Sequence, residues 1–235
     1  MNLLVIDTAT EACSVALEVN GQIFSRFEIC PQQHSQRILS LLDEVLKEAQ
    51  VKLSELDYLG FGRGPGSFTG VRIATGILQG LALGTSLPVV GISTLAAMAQ
   101  QAIAQHKMPQ GYAEEAQGGQ ITCAIDARMS EVYFARYVNA SGIAKLVNEE
   151  QVLPPEEALE SIQRSVGVGT GWQAYPQLSE HAQVDIAEDI LYPNALFMLP
   201  LAKQAFVNGE ACEAEQIQPV YLRDKVTWKK LPGKE

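Results

Sequence analysis

Between Gly62 and Gly76 the chain reads GRGPGSFTGVRIATG, and no other stretch restricts the fold as tightly. Gly62, Gly64 and Gly66 punctuate its first half around Pro65, and the second half has the composition of a helix start. Residues 57–62 just ahead read as a strand, so the segment is a strand-to-helix turn. Such a turn gathers backbone N–H groups at a helix N-terminus, where partial positive charge favours an anion. Ser67 and Thr69 are both placed to cap the helix by accepting from a free N–H. No Gly-Lys-Ser/Thr ends the turn, so it is not a Walker phosphate loop. A tight turn with an ordinary cap fits the same residues, and the loop alone does not separate the two readings.

The elements around the turn set the fold class. Residues 2–7, 12–19 and 22–29 read as three strands, the last two joined by Asn20-Gly21, a pair that tolerates the positive φ of a hairpin turn. Residues 34–49 follow as a helix, 57–62 as a strand, 68–83 as a helix, 88–92 as a strand and 94–105 as a helix. An antiparallel meander followed by crossover units predicts a layered α/β fold. Residues 106–120 are polar and rich in Gly, Gln and Glu, as in a linker. The strand pattern then restarts at 121–126, 131–138 and 143–147. Asp126 ends its strand as Asp7 ends the first, which suggests a repeated unit. The second half thins afterwards to a helix at 154–164, a strand at 165–172 and a helix at 194–208. The expected organisation is a first subdomain over 1–104, a reduced second one over 105–215, and a tail over 216–235 that packs back or stays mobile.

Composition narrows the function. The formal net charge is −10, against the basic face expected of a protein that grips nucleic acid by itself. Basic residues gather over 223–235, as a solvated end or an arm for an acidic partner or RNA. Residues 1–10 read as a strand rather than a signal peptide, and no run approaches the ~18 apolar residues that span a bilayer. A cytoplasmic location is therefore expected. Cys13, Cys30, Cys123 and Cys212 form no Cys-x-x-Cys pair and read as reduced core residues. His34, His106 and His181 show no metal-ligand spacing, and no cysteine is expected to join them; His34 reads as a capping or interface residue.

Two further signals concern faces. Gly76, Gly80 and Gly84 recur every four residues on one side of the second helix. Each costs roughly 1 kcal/mol relative to Ala in a helix interior, which close approach of another element would offset. In helix 34–49 the stripe Ile38, Leu42, Val45 and Ala49 is widened by Leu39, Leu41 and Leu46 beyond the single face a surface helix needs, so either its own domain buries it on both sides or a partner covers part of it. Asp7, followed by Thr8, sits where an actin-like fold would face phosphates and metal. Asp7 and Asp126 could meet in a cleft as paired carboxylates, which would suit an ATPase or small-molecule kinase using magnesium.

Taken together, VIDTATEACSVAL, PQQHSQRILSLLDEVL, ELDYLGFGRGPGSFTGVRIATGILQGLAL, LPVVGISTL and QPVYLRDK resemble the TsaB (YeaZ) family. The match covers nearly all of residues 1–100, is looser over 105–215 and returns at 219–223. The resemblance implies an actin-like ATPase (ASKHA) fold of two ribonuclease-H-like halves, and a partner role in making threonylcarbamoyladenosine at position 37 of tRNA. It implies a catalytic relative, TsaD, whose metal is held by a His-x-x-x-His pair. Gapless alignment from Leu87-Pro88 places that pair at Thr94 and Met98, neither of which can replace an imidazole. The relative's second phosphate loop falls on DARMSEVY, which lacks glycine. Asp7, Thr8, Gly64, Gly66, Ser67 and Thr69 then read as a vestigial phosphate loop. His34, Ile38, Leu41, Leu42, Val45, Arg72, Gly76, Gln79, Gly80 and Leu83 read as the surface that meets TsaD, or a second copy when TsaD is absent. The family implies TsaE as the ATPase of the complex and tRNA contact only through the complex. No cofactor is required, though weak or shared ATP or ADP binding is allowed. An enzyme of the ATPase or kinase type, a peptidase and a homodimeric regulatory protein are the alternatives. The peptidase lacks a nucleophile–base motif.

Overall fold

The computed structural model describes residues 1–105 and 119–223. His106, most of the expected linker and the basic residues beyond Arg223 lie outside them. The first half runs β1 (Leu3–Asp7), β2 (Ala12–Val19), β3 (Gln22–Ile29), α1 (His34–Ala49), β4 (Tyr58–Gly64), α2 (Phe68–Thr85), β5 (Val89–Ser93) and α3 (Thr94–Ala104). The second half runs β6 (Gln120–Arg128), β7 (Glu131–Ala140), β8 (Ile143–Leu146), β9 (Gln151–Leu153), α4 (Pro155–Ser161), β10 (Ser165–Val168), α5 (Gly171–Ala174), α6 (Pro176–Ser179), β11 (Val184–Ile186) and α7 (Ala195–Val207).

The first sheet has the order β3-β2-β1-β4-β5, with β1–β3 antiparallel and β4 and β5 parallel to β1. The second sheet repeats it as β8-β7-β6-β10-β11, with β9 added alongside β7. A meander extended by parallel strands, used twice, is the duplicated ribonuclease-H-like plan of an actin-like ATPase fold. The second copy is reduced, because α4, α5 and α6 replace full-length crossover helices.

The layers follow from which helix faces are apolar. In α1, Ile38, Leu41, Leu42 and Val45 point onto β2 and β3; in α2, Ala74, Leu78 and Ala82 join the same core. On the other side of the first sheet lie α3 and α7, whose apolar surfaces touch residues of both sheets and form one core between them. The chain after residue 194 therefore returns to the first half rather than staying in the second. Ala195 N–H donates to Ser14 Oγ at 2.9 Å, Phe206 stacks on Tyr58, and Lys203 pairs with Glu18. A helix as apolar as α7, polar only at Lys203 and Gln204, is stable when both sheets cover it. Gln100 of α3 fixes the second sheet by bonding Gly142 O and Ala144 N–H, each at 2.8 Å.

Two expected elements end early, and two short strands appear that the pattern does not announce. The strand expected over 165–172 ends at Val168, because Gly169 (φ 106°) turns the chain under the Ala124 carbonyl into α5. The helix expected over 154–164 stops at Ser161, and β9 and β11 are too short to register as patterns.

Candidate functional site

The turn between β4 and α2 packs against the end of β1. Gly64 takes φ 101°, and Ser67 caps α2 by accepting from Gly70 N–H at 3.3 Å, whereas Thr69 points to solvent. A Cβ on Gly66 would overlap the Ala9 carbonyl, and one on Gly70 would overlap the Thr8 carbonyl. Ser67 N–H donates to Ala9 O at 2.7 Å and Thr8 Oγ1 donates to Gly70 O at 2.7 Å. The loop carbonyls are engaged as well, Pro65 O by Thr94 Oγ1 and Gly66 O by Tyr133 of the second sheet. The glycines thus admit the chain's own backbone. The atoms facing Gly66 and Gly70 are carbonyl oxygens, whose partial negative charge repels a phosphate.

Asp7 is completely buried, with its carboxylate laid over Gly62, where a Cβ would overlap it. Burial pushes its pKa up to about 7, only partly opposed by the Ala9 N–H that donates to Oδ1 at 3.2 Å. Its Oδ2 has no hydrogen-bond partner. A carboxyl so placed is half protonated near neutrality and is not presented to solvent.

The expected pairing of Asp7 with Asp126 is not what the fold builds. Asp126 accepts from Arg128 N–H and from Tyr175 OH, at 2.9 and 3.0 Å, and pairs with the Arg128 guanidinium. The same guanidinium reaches across to Glu11 of the first half at 3.0 Å. Glu11, Asp126, Arg128, Thr170, Gln173 and Ala174 surround a cavity of about 260 Å³. Arg128, Met129 and Ser130 hold φ of 62°, 58° and 61°, left-handed conformations that a glycine loop would adopt freely. The arginine sets a positive charge between Asp126 and Glu11, where a cation would otherwise have to lie to use either carboxylate. The residues here do not fit a magnesium triphosphate. Thr94 is committed to the Pro65 carbonyl and Met98 lies in the central core, so neither offers a ligand.

Residues 217–223 strap the two halves together. Val220 N–H donates to Arg63 O at 2.7 Å beside Gly64. Tyr221 packs on Phe68, with the Arg72 guanidinium 3.2 Å from the Phe68 ring centre. Arg223 pairs with Glu131 and donates to the carbonyls of Ala127 and Arg128, which holds the left-handed turn. Sequence reasoning missed Glu11, Arg128 and Arg223 as bridging residues, although Glu11 and Arg223 stand in the segments that carry the family resemblance.

Outside the core, one face of α2 stays open. Phe68 (60% exposed), Arg72, Gly76, Gly80 and Gly84 form a row at four-residue spacing, flanked by Leu83 (59% exposed). Among the described residues nothing lies within 4 Å of a Cβ built on Gly76, Gly80 or Gly84. Gln79, half-buried, donates to Ala214 O at 3.1 Å. The expected surface narrows on the α1 side: Ile38, Leu41, Leu42 and Val45 are all within the core of their own half, so they cannot be the face a partner meets. Exposed Leu39 is the apolar residue α1 offers. His34 is not a cap; its Nε2 lies 2.6 Å from Thr10 O, and the fold brings Cys13 and Cys30 to it.

A family model described as "TsaD: tRNA N6-adenosine threonylcarbamoyltransferase" matches residues 27–230. The tRNA threonylcarbamoyladenosine biosynthesis protein TsaB of Escherichia coli K12 is 46% identical over 241 residues, covering all of both chains. Its Haemophilus influenzae counterpart is 44% identical over 100% of this chain and 99% of its own. The solved structure of YeaZ from Pseudomonas aeruginosa superposes with a TM-score of 0.83 at 42% identity, over 94% of this chain and 99% of that one.

Proposed function

This chain belongs to the TsaB (YeaZ) family, and from that membership we propose that it is a non-catalytic subunit of the machinery that makes threonylcarbamoyladenosine in tRNA. It docks on TsaD through the open face of α2 and supports the enzyme's active conformation. The observation that carries this reading is the row Gly76, Gly80 and Gly84. Glycine within a helix costs roughly 1 kcal/mol relative to Ala. Among the described residues nothing approaches these three, so the cost has no return within that part of the fold. A foreign helix can approach such a bare backbone closely, with Phe68, Leu83 and Leu39 as apolar flanks.

The filled loop, the buried Asp7 and the Arg128 bridge support the non-catalytic half of the reading against an ATPase or kinase built on Asp7 and Asp126. In this account TsaE supplies ATP hydrolysis, and any ATP or ADP this chain touches is shared at a subunit seam. Threonylcarbamoyl-adenylate and the tRNA adenosine are handled on TsaD. The net charge of −10 supports that division. The setting is the cytoplasm; among the described residues no helix is long and apolar enough to cross a membrane. Without TsaD the same face closes on a second copy of the chain. The test is co-elution with TsaD. Gly80→Leu should abolish it while leaving the isolated chain folded, and unchanged co-elution would refute the docking face.

A further inference from the structure

Under the N-terminus of α1 lies a cluster that the docking function does not use. Cys13 on β2 is paired in register with Glu28 on β3, so Cys30, two residues beyond, emerges on the same face. The Cys30 carbonyl accepts from Gln33 N–H at 3.0 Å as the chain turns into α1, whose first residue is His34. The two sulfurs and a ring nitrogen of His34 all lie within 4.8 Å of one another. Cys13 and Cys30 are buried and His34 is half-buried, which leaves entry from the His34 side.

We propose that Cys13, Cys30 and His34 form a binding site for a thiophilic metal ion, with zinc(II) as the ion that suits the donor set. A tetrahedral zinc with bonds near 2.3 Å to sulfur and 2.0–2.1 Å to nitrogen spaces its donors about 3.5–3.8 Å apart. The cluster needs a contraction of roughly 1 Å at most to meet that spacing. The hydrogen bond to Thr10 fixes the tautomer. A carbonyl only accepts, so Nε2 carries the proton given to Thr10 O, and Nδ1 keeps the lone pair that a metal takes. A metal-binding histidine ordinarily has such a carbonyl partner on its second nitrogen.

The charge balance agrees. Zinc displaces one proton from each thiol, and the resulting ion with two thiolates and a neutral imidazole carries no net charge in a buried place. Burial, Cys30, Asp7 and Glu28 push the Cys13 thiol up, so it is the ion's own charge that draws the protons off. Of the acids that act on Cys13, Glu28 is already held by Arg37 at 2.8 Å and Asp7 is buried under Gly62, so neither competes as a ligand. Three protein donors leave a fourth position for water.

The test uses the full chain, stripped with a chelator under reducing conditions and titrated with zinc(II) or cobalt(II) alone. One ion should bind per chain with release of two protons, and cobalt should give a thiolate-to-metal charge-transfer band. Cys13→Ala, Cys30→Ala and His34→Gln should each weaken binding by about 100-fold or more, since second-shell changes alone cost 10–100-fold. Cys212→Ala should leave it unchanged. If a cysteine variant fails to fold, the parent chain decides: bound zinc should protect Cys13 and Cys30, but not Cys212, from alkylation in mildly denaturing buffer. Absence of stoichiometric binding, binding indifferent to Cys13 and Cys30, or a Cys13–Cys30 disulfide that on reduction takes up no metal would overturn the proposal.

Discussion

Replacing Asp7 by Asn should flatten the pH dependence of stability. The Asp7 carboxyl is pushed up from 3.8 to about 7 by complete burial. Between those values the native state holds a proton that the unfolded chain releases, so stability falls as pH rises. The contribution is fully present below pH 3.8 and is lost as pH passes through 7. At pH 5, about two units below the folded value and at 1.36 kcal/mol per unit, it amounts to about 3 kcal/mol; at pH 8 it is close to zero. Complete burial leaves no solvent screening to discount. Asn keeps an oxygen to accept from Ala9 N–H and places its amide where the unpartnered Oδ2 lies. Any offset from that amide is independent of pH and cancels between conditions. Urea denaturation of parent and Asp7→Asn at pH 5 and pH 8 reads the effect directly. The parent should lose about 3 kcal/mol more than the variant across that interval, equivalent to roughly 6–12 °C in Tm for a chain of this size. Parallel behaviour of the two proteins would show that Asp7 is solvated or ionised in the fold, and would return it to the role of an exposed phosphate- or metal-facing carboxylate.

Other substitutions read separate parts of the structure. Gly76→Ala and Gly80→Ala place a methyl in open space and should each stabilise the isolated chain by about 1 kcal/mol in denaturant titrations at low protein concentration. On the same helix Gly70→Ala forces a methyl into the Thr8 carbonyl and should destabilise by roughly 3 kcal/mol in the same assay. Arg223→Ala removes the bonds to Glu131, Ala127 O and Arg128 O; it should cost about 2 kcal/mol and expose residues 217–223 to limited proteolysis.

Local pattern carried much of this fold. The Asn20-Gly21 turn, with φ of 52° and 81°, follows from residue type alone, and α1 begins and ends at the residues its periodicity indicates. The packing partner of α7 was not legible, since a mostly apolar helix says that it is buried but not between which sheets. The stripe of Ile38, Leu42 and Val45 shows the limit of periodicity for finding partners. Regular large apolar residues mark the face a helix turns to its own core, whereas the open face of α2 is marked by small residues that propensity disfavours. The Cys13–Cys30–His34 cluster escaped because its members meet through strand register rather than sequence spacing. Arg128 carries no sequence signal beyond the missing glycines around it; its bridge exists only once both halves are in place.

The most direct measurement is formation of threonylcarbamoyladenosine on tRNA, with threonylcarbamoyl-adenylate and ATP supplied, in a mixture of TsaD, TsaE and this chain as parent, Gly80→Leu or Asp126→Asn. Product should fall to the level seen without the chain for Gly80→Leu and stay at the parent level for Asp126→Asn. Loss of product with Asp126→Asn while Gly80→Leu remains active would place function in the cleft between the halves, and would contradict a chain that acts through its open helix face.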